Sequence, residues 1–162
     1  MADADDEQHL SGNVNPWVMS SYITYSSLLL MKLLFNILLI IATRLRTKIV
    51  PNPEDKGSNK ELKVGGTHPL LTRVQRMQQN DLENIIPFLM IGFAFVMTWY
   101  SPYSRAVWHF RIFFISRMLM SFCHYFSLQP FRSIFFLIAM CTNISMGGHV
   151  LYKAAAYSVK YF

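Results

Sequence analysis

The sequence predicts an all-α integral membrane protein, a bundle of four helices that run up and down across the bilayer. Hydrophobic residues make up 52% of the 162 positions, and they lie in four long blocks instead of alternating with polar residues. Two of the three connections between the blocks are short turns, which place consecutive helices antiparallel. Long apolar blocks joined by short turns predict a membrane bundle rather than a soluble domain.

Each block is long enough for a membrane span, which needs about 20 apolar residues. The first contains the run LLLMKLLFNILLIIA, with Lys32 as its only charge. It is too long for the apolar part of a cleavable signal peptide, so we expect it to remain as an anchor. In the second block a short apolar run at 85–100 is extended backwards by a helical pattern. The spans are predicted at about 17–42, 70–100, 106–126 and 133–152.

The connections predict the orientation in the membrane. The first is a cytosolic loop at about 43–69, rich in Pro and Gly and therefore expected to be exposed. The others are turns at Ser101-Pro102 and Gln129-Pro130. The segment 43–84 and the 127–132 turn together carry nine Lys and Arg, against three on the opposite side. The positive side of a membrane protein faces the cytosol, so both termini are predicted to be lumenal.

Several classes of function are excluded by composition. The net charge is +6, but the aromatic residues lie in the apolar blocks and not among the basic ones, which argues against nucleic-acid binding. Cys123 and Cys141 both fall in spans, so we expect no disulfide framework. No cluster of His, Cys and carboxylate residues has the spacing of a metal site, and no glycine-rich phosphate loop is present.

Polar residues of all four spans are predicted to meet near the cytosolic face. One face of the second helix and one of the third are polar, at helical spacing. These two stripes are Arg73, Arg76, Asn80 and Glu83, and Arg117, Ser121 and His124. At the same depth we expect Arg44, Tyr125, Arg132 and Ser133. Several guanidinium groups with one carboxylate suit a small zwitterion that bears more than one carboxylate. Glutathione, with two carboxylates and one ammonium group, fits this description.

Four segments resemble one known family. They are NPED (52–55), RVQRMQQNDLENIIPFL (73–89), HFRIFFISR (109–117) and PFRS (130–133). Together they are similar to the MAPEG superfamily, the membrane-associated proteins of eicosanoid and glutathione metabolism. The resemblance covers nearly the whole chain and is nearest to the microsomal glutathione transferases, with the prostaglandin E synthases beside them. It implies a homotrimer in the endoplasmic reticulum or the mitochondrial outer membrane, with glutathione bound between subunits near the cytosol.

The resemblance also implies roles for individual residues. The matching positions are Arg44, Arg76, Asn80, Glu83, Arg117 and Arg132. Glu83 would hold the ammonium group of glutathione, and Arg44 and Arg76 would bind its carboxylates. Arg132 would stabilise the thiolate, with Ser133 as a hydroxyl donor and Asp55 orienting the guanidinium. Arg73, His124 and Tyr125 complete the predicted site. The family has His and Tyr at two positions of the third helix where this chain has Met120 and His124.

Some alternatives stay open at this point. Arg117 either contacts the ligand or forms a structural ion pair with Glu83, whereas Lys32 is predicted to be structural or interhelical. The function implied is a glutathione transferase that activates the thiolate for attack on lipophilic electrophiles and lipid hydroperoxides. A glutathione-dependent prostaglandin E synthase is the first alternative. A non-catalytic, lipid-binding scaffold is the second.

Overall fold

Four long helices make up most of the computed structural model, which describes residues 14–98 and 103–161, without the side chains of 160 and 161. The helices are α1 (Pro16–Thr47), α2 (Pro69–Thr98), α3 (Tyr103–Tyr125) and α4 (Phe131–Tyr161). All four are long and apolar enough to cross a membrane. Each predicted span shares most of its residues with one of these helices, but residues 99 and 100 of the second span lie outside the described residues and residue 126 of the third follows the end of α3. The predicted turn at Ser101-Pro102 lies outside the described residues.

Local sequence explains where α1 begins and ends. The side-chain oxygen of Asn15 accepts hydrogen bonds from the backbone N–H groups of Trp17 (3.0 Å) and Val18 (3.4 Å). Pro16 follows at the first helical position, where its missing N–H costs no hydrogen bond. At the other end Lys48 adopts the left-handed conformation, with φ of 56°, which stops the helix.

Contacts between helices confirm the up-and-down topology. Tyr22 of α1 donates a 2.7 Å hydrogen bond to the carbonyl of Leu89, and Lys32, further along α1, pairs with Asp81. Because residue numbers rise along α1 while those of its partners fall along α2, the two helices are antiparallel. Across the bundle, α1 and α4 each pack against both α2 and α3, and within the described residues they do not contact each other. They therefore occupy opposite corners.

Aromatic side chains fill the half of the bundle farther from the α1–α2 loop. Phe88, Phe95, Phe110 and Phe113 are all fully buried. The rings of Phe88 and Phe113 stack with centroids 4.1 Å apart, and Phe110 meets the rings of Phe88 and Phe95 edge-on. Offset stacks and edge-to-face pairs are the favourable arrangements of such rings. The buried ion pairs between helices in the described residues, Lys32–Asp81 and Arg117–Asp81, lie in the other half.

The outward faces of the helices are apolar as well. On α1 the exposed side chains include Leu30, Met31, Leu34, Phe35 and Leu38. A helix that is apolar on its outer face needs an apolar surrounding, either lipid or another subunit. The fold thus combines a polar patch inside the bundle with a hydrocarbon-like exterior.

The α1–α2 connection is mostly exposed, as predicted, but it contains a small parallel sheet. β1 (Ile49–Val50) pairs with β2 (Lys63–Val64), and a 3₁₀ turn (Pro53–Lys56) lies between them. An exposed ion pair between Lys48 and Glu61 joins the two sides of this loop. Strands of two residues have no alternation of polar and apolar side chains, so the sequence pattern did not predict them.

Candidate functional site

A fully buried carboxylate lies between α1, α2 and α3. The side chain of Asp81 on α2 is 1% exposed, and it forms ion pairs with Lys32 of α1 and Arg117 of α3. Its Oδ2 also accepts hydrogen bonds from Asn36 (2.7 Å) and Ser121 (3.1 Å). Charged groups in a membrane-spanning region need such partners, because hydrocarbon offers none. The prediction that Lys32 is interhelical is confirmed.

The partner of Arg117 corrects one interpretation of the sequence. The alternative in which Arg117 pairs with Glu83 is wrong, since its carboxylate partner is Asp81. Two residues along a helix turn the side-chain direction by about 200°. Asp81 therefore points into the bundle, where Arg117 is fully buried, while Glu83 lies on the exposed side of α2.

Arg117 connects this buried cluster to Asn80. Its Nη2 donates to the side-chain oxygen of Asn80 at 2.7 Å and to the Asn80 backbone carbonyl at 3.2 Å. The other terminal nitrogen donates to the sulfur of Met120 at 2.8 Å. Arg117, one of the residues predicted to contact glutathione, lies behind the cavities described below and lines none of them.

A cavity of about 590 Å³, here called the α2–α4 cavity, brings together most of the predicted site. Its lining comes from α2, α3 and the first turns of α4. The lining residues are Arg76, Gln79, Asn80, Glu83, Met120, His124, Arg132, Ser133, Phe136 and Leu137. Six of these were predicted as site residues: Arg76, Asn80, Glu83, His124, Arg132 and Ser133. Its lining combines these polar side chains with the apolar side chains of Met120, Phe136 and Leu137.

A second cavity, of about 490 Å³, adjoins it beneath the α3–α4 turn and is called the turn cavity. The two share Arg76, His124 and Arg132 as common walls. Arg73 also lines the turn cavity, and its Nη1 donates a 3.2 Å hydrogen bond to the backbone carbonyl of Tyr125. The joined cavities thus present three guanidinium groups and one carboxylate, Glu83. This charge pattern favours a ligand with more than one anionic group and a single cation.

Besides Arg117, three predicted residues lie apart from these two cavities. Arg44 is half-buried in the last turn of α1 and lines neither of them. Asp55 is exposed in the 3₁₀ turn, and no hydrogen bond or ion pair links it to Arg132 in the described part of the chain. Tyr125 lines a separate, largely apolar cavity of about 360 Å³ between α1 and α3.

The sequence interpretation missed Asp81, although a signal for it was present. Asp81 continues the stripe of buried side chains along α2, which is Leu71, Val74, Met77, Asp81, Ile85 and Phe88. A carboxylate on an otherwise apolar stripe requires a buried cation, and Lys32 is the lone charge of a long apolar run. Those two observations together predict the pair. Cys123, which lines the turn cavity, was also not assigned to the site.

Comparison with known proteins identifies the family of this chain. The sequence model of the MAPEG family matches residues 22–152. Microsomal glutathione S-transferase 1 of Homo sapiens is 34% identical over 140 residues, which cover 83% of this chain and 89% of the relative. Prostaglandin E synthase of Bos taurus is 30% identical over 143 residues, or 88% of this chain and 93% of the relative. The protein, with four membrane-spanning helices, therefore belongs to the MAPEG family.

Proposed function

We propose that the protein is a membrane glutathione S-transferase that binds glutathione in the α2–α4 cavity. The observation that carries this proposal is the meeting of Arg76, Asn80, Glu83 and Arg132 around one cavity. Glu83 supplies the acceptor for the ammonium group, and Arg76 supplies charge-assisted donors for the carboxylates. The likeness to microsomal glutathione S-transferase 1 supports the same ligand.

Activation of the thiol follows from the charges around it. A free thiol has a pKa of about 8.5, so only a few per cent is thiolate at neutral pH. A guanidinium group nearby favours the anion, and we assign this role to Arg132, with the Ser133 hydroxyl as a second donor. The thiolate then attacks the carbon of a lipophilic electrophile and forms a C–S bond, and the leaving group departs with the electron pair.

The same thiolate can reduce a lipid hydroperoxide. Attack on the terminal oxygen breaks the O–O bond and gives the lipid alcohol and glutathione sulfenic acid. A second glutathione condenses with the sulfenic acid to form glutathione disulfide and water. Lipophilic substrates of both kinds would enter from the bilayer, and the apolar lining residues Met120, Phe136 and Leu137 offer them a surface.

Prostaglandin E synthesis is the second candidate function. Arg132 and Ser133 line the same cavity, and the bovine prostaglandin E synthase is similar over most of this chain. In that reaction the activated thiolate would attack one endoperoxide oxygen, which breaks the O–O bond, and the other oxygen would take up a proton to become a hydroxyl. Loss of a proton from the carbon that bears the attacked oxygen would then form the carbonyl and break the S–O bond, which releases the thiolate. The two candidates thus share the glutathione site and differ in the lipophilic substrate.

We further propose a homotrimer in the endoplasmic reticulum membrane, with the cavities toward the cytosol. Arg76, Glu83 and Ser133 are exposed in the single chain although they line the cavity. A neighbouring subunit would cover them and raise the strength of their interactions by excluding water. Because Arg44 lines neither cavity of its own chain, it would act only on glutathione bound to a neighbour.

The proposal is tested with the full chain purified in detergent. Glutathione is offered together with a chlorinated nitrobenzene, a lipid hydroperoxide or a prostaglandin endoperoxide, and each rate is compared with the uncatalysed one. Catalysis of the first two supports the transferase. A much higher kcat/KM for isomerisation of the endoperoxide favours the synthase instead. Failure to bind glutathione at all, with no turnover of any substrate, would contradict both and favour the scaffold.

A further inference from the structure

The side-chain amide of Asn80 has a fixed orientation at the edge of the α2–α4 cavity. A guanidinium group only donates hydrogen bonds, so the Asn80 atom 2.7 Å from Arg117 Nη2 must be the oxygen. The amide nitrogen therefore points away from Arg117. It forms no hydrogen bond within the described residues, and Asn80 is one of the residues that line the cavity. An NH₂ group is left to face a ligand.

Arg117 is itself held in place from several directions. Its guanidinium is fully buried, with Asp81 and the sulfur of Met120 as partners besides Asn80. Asp81 in turn is held by Lys32 and Asn36 of α1 and by Ser121 of α3. Rotating the guanidinium away from Asn80 would strain this buried ion pair. The orientation of the Asn80 amide is thus determined by groups on three helices.

We infer that Asp81 and Arg117 are positioning residues for ligand binding, acting through the amide of Asn80. They keep its NH₂ group toward the α2–α4 cavity, where it donates to a carboxylate or carbonyl oxygen of the ligand. Neither lines the cavity. The inference rests on the proposed function, because the ligand is taken to be glutathione.

The direction of the amide matters because of the charges around it. With the oxygen toward the cavity, Asn80 would place a partial negative charge beside an anionic ligand. With the nitrogen toward the cavity, it adds a donor to those of Arg76 and Arg132. A freely rotating amide would sample both arrangements, so losing Arg117 as a partner should lower the affinity for glutathione.

A double-mutant cycle tests this coupling with the full chain in detergent. Arg117→Lys keeps a cation beside Asp81 but lacks the planar fork that reaches Asp81 and Asn80 together. Asn80→Ala removes the amide. We expect each single change to raise the Kd for glutathione about tenfold. The double variant should bind no more weakly than Asn80→Ala alone, because both changes remove the same interaction. At saturating glutathione kcat should change less than about twofold, since neither group stabilises the thiolate.

Asp81→Asn tests the role of Asp81 in the same way and should also raise the Kd for glutathione. Glu61→Gln is its matched control. Glu61 also pairs with a lysine, but it is exposed and lines neither of the joined cavities, so that change should leave the Kd unaltered. If neither Arg117→Lys nor Asp81→Asn, the two buried variants, assembles, the test uses the unaltered protein with ¹⁵N in its Asn side chains. The Asn80 NH₂ resonance, assigned by its loss in Asn80→Ala, should then shift when glutathione binds.

Additive effects of Arg117→Lys and Asn80→Ala, an unchanged Kd in both buried variants, or an unmoved Asn80 resonance would overturn the inference while leaving glutathione binding intact. If the unaltered protein does not bind glutathione, the proposed function fails and the inference fails with it.

Discussion

Gln79 and Glu83 contact each other across one turn of α2: Gln79 Nε2 donates a 2.9 Å hydrogen bond to Glu83 Oε1. Pairs at this spacing lie on the same face of a helix. Both residues line the α2–α4 cavity, and Oε2 of Glu83 has no hydrogen bond within the described residues. One carboxylate oxygen is therefore fixed and the other is available to a cationic group.

We expect Glu83→Gln to weaken glutathione binding, because among the described residues Glu83 is the only carboxylate that lines either of the joined cavities. Losing a charge-assisted hydrogen bond to the ammonium group should cost about 1.5–3 kcal/mol. Isothermal titration calorimetry of the purified protein measures the change in Kd. Gln79→Ala should have a smaller effect, since it removes only the group that orients Glu83. An unchanged Kd in correctly assembled Glu83→Gln would remove Glu83 from the site.

The buried ion pairs of Asp81 should contribute more to the free energy of unfolding than the exposed ion pair of Glu61. Asp81→Ala leaves Lys32 and Arg117 buried without their carboxylate, and breaking such a buried pair costs about 3–5 kcal/mol. Glu61→Ala breaks an exposed pair with Lys48 and should cost less than about 1 kcal/mol. Thermal unfolding in the same detergent compares the two variants. Similar midpoints for both would show that the cluster contributes little to the folded state.

The sequence predicted the helices well because four long apolar blocks allow few alternatives in a membrane. Hydrocarbon requires every backbone N–H and C=O to be paired within the span, so an apolar block of this length becomes a helix. The small sheet at Ile49–Val50 and Lys63–Val64 was not predictable in this way. Its residues lie in a polar loop, where water can satisfy the backbone equally well.

The site was harder to predict because it depends on the rotation of each helix. Asp81 and Glu83 are two residues apart, and only the position of Asp81 on the stripe of Val74 and Met77 shows which carboxylate is buried. On α3, His124 lines the two joined cavities whereas Tyr125 faces α1, although they are neighbours in sequence. Apolar and aromatic residues occur on every face of α3, so its sequence does not show whether His124 or Tyr125 faces α2.

Close packing at Gly92 leads to a prediction about the apolar half of the bundle. A Cβ at Gly92 would lie 2.9 Å from Cε2 of Tyr22. That ring is held by its hydroxyl, which donates to the carbonyl of Leu89, and by contact with Phe88 and Phe110. Gly92→Ala should therefore lower the free energy of unfolding by about 1–3 kcal/mol, as overpacking does.

Gly148→Ala is the matched control for that change, because a Cβ there has no neighbour within 4 Å. With no clash, the better helix propensity of alanine should make this variant as stable as the unaltered protein or slightly more so. Thermal unfolding of both variants in one detergent makes the comparison. Equal stability of the two would mean that Tyr22 can move aside at no cost.

Thiolate stabilisation and ligand affinity should separate at Arg132. Arg132 is half-buried and lines both joined cavities, and its guanidinium has no hydrogen bond or ion pair within the described residues, so it is available to an anion. Arg132→Ala should raise the pKa of the bound thiol toward its free value of about 8.5, while the Kd for glutathione rises only modestly. In ultraviolet difference spectra, the complex should then lose the thiolate band at neutral pH and regain it in alkali.

Ser133→Ala should weaken the band less, because a neutral hydrogen bond is roughly half as strong as a charge-assisted one. A full thiolate band in Arg132→Ala would assign the activation of the thiol to another cation, with Arg76 the first to test because it lines the same two cavities.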